Sequence, residues 1–235
     1  MDHLHRCQLC AVRKLAVCGA MSDEQLNRLN EIAHYKKYAA GQTIISSDQP
    51  VTLFANIVSG TIKLTKVTVD GREQIVGLLF ASDFLGRTFG RTNRYFAMAA
   101  TDVELCIFPS DAFERLIATF PDLKQCLFER TLDDLDAARD WMLLLGRKSA
   151  AERVASFLLL LACRFARSPQ QAGAQFDMPL KRADMADYLG LTVETVSRQM
   201  TRLKATGIIE IKGTRGIKLF SMARLADAAG QSPGD

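Results

Sequence analysis

Two groups of residues in this sequence carry chemistry by their type and spacing. The first is Cys7-Gln8-Leu9-Cys10, followed after seven residues by Cys18. Two thiols two residues apart can bind one metal ion or two corners of one cluster. A fourth ligand would then come from Cys106, Cys126, Cys163 or a histidine such as His3 or His5. Cys126 and Cys163 lie in helical patterns, where a free cysteine is usually a small buried hydrophobe. Cys106 lies in the strand pattern Val103–Phe108. Arg6, Arg13 and Lys14 sit among the N-terminal cysteines, where cations stabilise a negatively charged cluster and equally lower thiol pKa. Spacing alone leaves an iron–sulfur cluster, zinc and a redox-reactive tail all open.

The second group is Glu194, Ser197 and Arg198, which at i, i+3 and i+4 share one helical face. Arginine pairs bidentately with guanine, glutamate accepts from cytosine N4, and serine serves either way. Arg202 and Lys204, further along, suit phosphates, which position a protein without specifying sequence. An ordinary i, i+4 surface ion pair is the competing reading.

The surrounding elements favour DNA. Ala186, Gly190 and Val196 have the offsets of a helix-turn-helix over Arg182–Thr201: a small residue at the crossing, a glycine at the turn and an aliphatic anchor. Thr192 is a good N-cap for a helix from Val193 to about Ala205. Two β-patterned runs, 207–211 and 216–220, flank the basic tip Lys212-Gly213-Thr214-Arg215, so the motif is winged. Between Met178 and Arg224 nine Lys/Arg stand against four Asp/Glu, while the other 188 residues balance to −1. The overall charge of +4 therefore conceals a basic C-terminal segment suited to a polyanion.

Upstream, residues 1–20 show little recognisable structure and residues 21–120 read as strands and turns, with Asp70-Gly71 a strong hairpin signal. Together they suggest a small barrel or jelly roll. From Pro121 to about Leu145 the pattern is helical, and Phe128, Thr131, Leu135, Ala138, Met142 and Leu145 form a heptad seam suited to self-association. A second line through Leu123 and Leu127 faces the strands. Ser149 with Glu152 caps another helix, running to about Arg167, and Ser168–Gly173 reads as a loop. The resulting division is 1–20, 21–120, 121–146 and 147–235.

Composition narrows the function classes. The polar N-terminus has no signal-peptide core, and the longest apolar run, Phe157–Cys163, is far short of the ~20 residues that span a bilayer. A cytoplasmic protein is expected, its six cysteines ligands, redox centres or core residues rather than disulfides. No nucleophile–base pair, phosphate loop or His-rich site points to an enzyme.

The whole chain resembles the CRP/FNR family of transcription regulators, in its FNR/FnrN-like branch. The telling stretch is Tyr188-Leu189-Gly190-Leu191-Thr192-Val193-Glu194-Thr195-Val196-Ser197-Arg198. Met142–Leu145 with Ala151–Ala155 is similar to the family's hinge, and Ser59–Lys63 to its β-roll. The resemblance implies an α+β fold: a β-roll (jelly-roll, cyclic-nucleotide-binding-like) sensor, a long dimerisation helix and a C-terminal winged helix-turn-helix. It implies that Glu194, Ser197 and Arg198 read a palindromic operator with TTGAT-type half-sites in double-stranded DNA. Leu135, Ala138 and Met142 would lie in a homodimer interface, with RNA polymerase a further partner and no membrane involved.

FNR-type members bind an oxygen-labile [4Fe–4S] cluster through three N-terminal cysteines and one in the β-roll, which here match Cys7, Cys10, Cys18 and Cys106. The resemblance thus implies one cluster per subunit and an oxygen-responsive regulator, mainly an activator. A FixK-like, cluster-free constitutive dimer with at most thiol-based sensing is the alternative. Gly86-Arg87-Thr88 stands where cyclic-nucleotide binders carry Gly-Glu-Leu, and their Arg-Ser-Ala is missing around Tyr95-Phe96-Ala97, which argues against a cyclic nucleotide. The chain departs from the best-known member in two ways. Its gap after Cys10 is longer, and Ala138 replaces a seam aspartate, so losing the cluster should weaken the dimer less.

Overall fold

The computed structural model describes Cys7, residues 9–165 and residues 174–231. His3, His5, Arg6 and the loop expected at Ser168–Gly173 lie outside the described residues. Packing divides the chain into two compact units, Met1–Asp136 and Ala137–Asp235. The boundary falls inside one long helix.

The first unit opens with a short 3-10 turn, Val17–Ala20, and helix α1 (Asp23–Ile32). Eight strands follow: β1 (His34–Tyr38), β2 (Thr43–Ile45), β3 (Leu53–Ser59), β4 (Ile62–Val67), β5 (Glu73–Leu79), β6 (Phe84–Leu85), β7 (Phe96–Ala99) and β8 (Val103–Pro109). They form two antiparallel sheets, ordered β1-β8-β3-β6 and β2-β7-β4-β5. Helices α2 (Ser110–Thr119) and α3 (Pro121–Arg147) complete the unit, α3 running on into the second. This is the expected α+β architecture.

The strand-and-turn expectation for residues 21–120 is corrected at both ends, where α1 and α2 form. Ser22 and Gln25 make a reciprocal capping box that starts α1, at 3.3 Å and 2.9 Å. Residues 1–20 are corrected too. Val12, Ala16 and Val17 are buried, because helical turns between Cys10 and Cys18 bring Val12 and Ala16 onto one side.

Strand β8 explains why the unit has two cores. Val103, Leu105 and Ile107 point between the sheets, where they meet Ile57, Ile62 and Leu85. Cys106 and Phe108 point the other way, into a second core with Phe54, Phe113, Leu123, Leu127 and the N-terminal segment. A strand buried on both faces reads as a near-continuous apolar run, as Val103–Phe108 does.

In the second unit, α3 is followed by α4 (Ala150–Phe165), β9 (Gln175–Asp177), α5 (Arg182–Leu189), α6 (Val193–Ala205), β10 (Ile209–Lys212), β11 (Gly216–Leu219) and α7 (Met222–Ala228). The expected wing hairpin β10–β11 gains β9 as a third strand. Ser149 caps α4 with Glu152, their bonds 2.7 Å and 3.4 Å long. Arg153 donates to the carbonyls of Lys148, Leu145 and Leu189, and Trp141 stacks on Tyr188 at 4.1 Å. These contacts tie the last turns of α3 to α5. Among the described residues no helix is long and apolar enough to cross a membrane.

Candidate nucleic-acid interface and metal centre

Helices α5 and α6 are set at their angle by a left-handed turn. Gly190 has φ +61°, where a side chain would be strained, and Ala186 accepts from the Leu191 N–H at 3.0 Å. Ala186 is buried at the crossing, as its size requires. Thr192 caps α6 by accepting from the Thr195 N–H at 3.2 Å.

Val196, Met200 and Leu203 form the buried stripe of α6. Glu194, Ser197, Arg198, Arg202 and Lys204 are therefore turned to solvent. Backbone N–H groups at the helix start hold the Glu194 carboxyl below the usual carboxylate range, with help from Thr192. At neutral pH it is an ionised acceptor beside a permanent cation. The tip residues Lys212 and Arg215 of the wing are exposed as well. An exposed recognition face with basic side chains beyond it and on the wing is equipped to read base edges and grip phosphates.

The cysteines converge in the first unit. Cys7, Cys10, Cys18 and Cys106 line one cavity together with Tyr35, Asn56 and apolar side chains such as Val12, Leu26 and Phe108. The Cys7 thiol donates to Asn30 Oδ1 at 3.1 Å, and Cys18 Sγ accepts from Asn56 Nδ2 at 3.7 Å. The Tyr35 side chain lines the same cavity, its hydroxyl placed near enough to the sulfurs of Cys7 and Cys106 to offset part of the rise in both thiols. Burial, and then the neighbouring sulfur of Cys10, pushes the Cys18 thiol up to about 11. Burial and then Cys7 push Cys106 up to about 12. Cys7 is raised mainly by burial.

Those three sulfurs are therefore neutral thiols at neutral pH unless a cation joins them. Arg13 contributes least to the shifts of Cys7 and Cys18, and it pairs with Asp23 at 2.9 Å. The donor set is all soft sulfur, which suits zinc, copper(I) or an iron–sulfur group. Among the described residues no three His, Cys, Asp or Glu side chains are gathered so as to hold a metal ion.

Comparison with known proteins decides the family. Residues 35–120 match the cyclic nucleotide-binding domain and residues 152–228 the Crp-like helix-turn-helix domain. The transcriptional activator protein FnrL of Cereibacter sphaeroides is 46% identical over 230 residues, 97% of this chain and 93% of the relative. The chain belongs to the CRP/FNR family of transcription regulators. The nitrogen fixation regulation protein FixK of Bradyrhizobium diazoefficiens is 38% identical over 226 residues, 94% of this chain and 92% of FixK. The solved structure of FixK2 from Bradyrhizobium japonicum superposes with a TM-score of 0.78 at 32% identity, over 87% of this chain and all of that one.

Within this CRP/FNR chain, Leu135, Ala138 and Met142 lie on α3 and are exposed, as are Phe128 and Leu132. Leu123 and Leu127 face the second core as expected. Of the candidates for a fourth ligand, Cys106 lines the cavity, whereas Cys126 is half-buried on α3 outside it. Cys163 corrects the expectation of a buried hydrophobe: α4 is buried over Val154–Leu158 and at Leu161 and Ala162, but its last residues, from Cys163 on, are exposed. The sequence reading missed Asn30, Tyr35 and Asn56.

Proposed function

We propose that this protein is an oxygen-responsive transcription regulator, mainly an activator, that binds a palindromic TTGAT-type operator as a homodimer. In this reading Cys7, Cys10, Cys18 and Cys106 hold one [4Fe–4S] cluster per subunit. The observation that carries it is that these four cysteines, drawn from two distant stretches of chain, line one cavity. When bound, such a group supplies a centre sensitive to molecular oxygen.

The chain's own residues supply the coupling. Val12, Val17 and Cys18 pack in the same core as Leu123 and Leu127 of α3. Arg130 of α3 donates to the Leu15 carbonyl of the N-terminal segment and, at 3.4 Å, to that of Ser82. Pinning the segment and seating α3 therefore draw on shared contacts. A seated α3 presents Leu135, Ala138 and Met142 for pairing, and two recognition helices then stand ~34 Å apart, one turn of DNA. Release of the segment biases α3 the other way and operator affinity falls.

RNA polymerase is the further partner of an activator, and the cytoplasm is where it works. Gly86-Arg87-Thr88 offers no carboxylate to a ribose, so no cyclic nucleotide is proposed as effector. No enzymatic role is proposed.

Anaerobic purification tests this reading. It predicts a brown protein containing iron and acid-labile sulfide whose absorption bleaches in air. A colourless protein holding stoichiometric zinc overturns it. A second reading is a FixK-like regulator without a cluster. The likeness to FixK2 favours it. It predicts equal operator binding with and without oxygen.

A further inference from the structure

Two polar side chains flank Cys106 across the sheet. Tyr35 of β1 and Asn56 of β3 both stand opposite Cys106 of β8, so the three side chains leave the sheet on the same face. That face is the floor of the cysteine cavity, which Tyr35 and Asn56 both line. Asn56 is 2% exposed, and its Oδ1 has no hydrogen-bond partner among the described residues. A leucine, branched at Cγ as asparagine is, would carry no unpaired oxygen, so packing alone does not account for an amide here. What the amide does provide is a donor: its Nδ2 lies 3.7 Å from Cys18 Sγ. The Tyr35 hydroxyl reaches the sulfurs of Cys106 and Cys7.

Hydrogen bonds to a metal-bound thiolate hold negative charge on sulfur and tune the stability and potential of the centre. We propose that Tyr35 and Asn56 are positioning residues that hydrogen-bond the coordinating sulfurs of Cys106, Cys7 and Cys18, and so lengthen the survival of a bound iron–sulfur group in oxygen. The proposal rests on the reading of the four cysteines as ligands. Neither residue coordinates iron; each acts through a cysteine.

The test compares full-length wild type, Tyr35→Phe and Asn56→Leu, each assembled without oxygen from ferrous iron and sulfide. Both variants should bind iron and sulfide at the wild-type ratio. Their iron–cysteine stretching bands in resonance Raman should move to higher frequency, and their half-life in air should fall severalfold. Cluster-free Asn56→Leu should melt no lower than wild type, since it loses an unpaired buried oxygen. Unchanged bands and lifetimes would overturn the proposal. So would a shorter lifetime without a band shift in variants that melt earlier, which is what purely structural residues would give. Failure of the wild type itself to take up iron and sulfide would instead bring down the ligand reading, with this proposal on it.

Discussion

The recognition surface takes its base-reading chemistry from one helix of 13 residues, Val193–Ala205. The cysteine cavity gathers its side chains from the N-terminal segment, helix α1 and three strands, from Cys7 to Phe108. The first is exposed and already charged; in the second, Cys18 and Cys106 are buried, and burial keeps their thiols neutral until a cation joins them. A local, solvated site tolerates substitution one residue at a time. A site assembled from distant segments ties its chemistry to the packing of those segments, which is what a sensor needs.

Substitutions on the two sides should therefore differ in kind. Cys106→Ala should have the largest effect: iron falls from about four atoms per chain to under one, and operator binding becomes the same with and without oxygen. Iron analysis and gel-shift assays read both. Arg130→Met should keep the iron and still shrink the oxygen dependence of operator binding, because it cuts a link between the segment and α3. Iron retained with full oxygen dependence would place the coupling elsewhere.

On the DNA side, Arg198→Ala should lose about 1–3 kcal/mol of discrimination at one guanine. Lys204→Ala should instead weaken all sequences alike and lower the salt slope by about one. Competition with single-base operator variants separates the two. The smallest effect is expected from Thr192→Ala, about 1 kcal/mol of stability from the lost α6 cap, read by denaturant unfolding.

The same contrast governs what could be read without coordinates. Gly190, Thr192 and the exposed triplet follow from one periodic stretch, and each takes the place its local chemistry requires. Asp70-Gly71 likewise marks a real hairpin, with Gly71 at φ +85°. Helix α1 escaped notice because only Leu26 and Leu29 of its ten residues are buried, too thin a stripe to stand out even behind a good capping box.

Burial of Val12 and Val17 depends on contacts with a core formed far along the chain, so no local pattern announces it. Tyr35 and Asn56 are invisible for the same reason. Their role comes from register opposite Cys106, and register is fixed only when the sheet assembles. Cys163 shows the converse error: an apolar run suggests burial to its end, while α4 emerges into solvent in its last turn.

Coupling through oxygen would join the two regions into one switch. The most direct test titrates one anaerobic preparation with operator DNA, exposes the same preparation to air, and titrates again. Affinity should fall about 5–150-fold, the usual span of an allosteric coupling, and should not fall for Cys106→Ala. Equal affinity before and after air in a wild-type protein shown to hold iron and sulfide would contradict it.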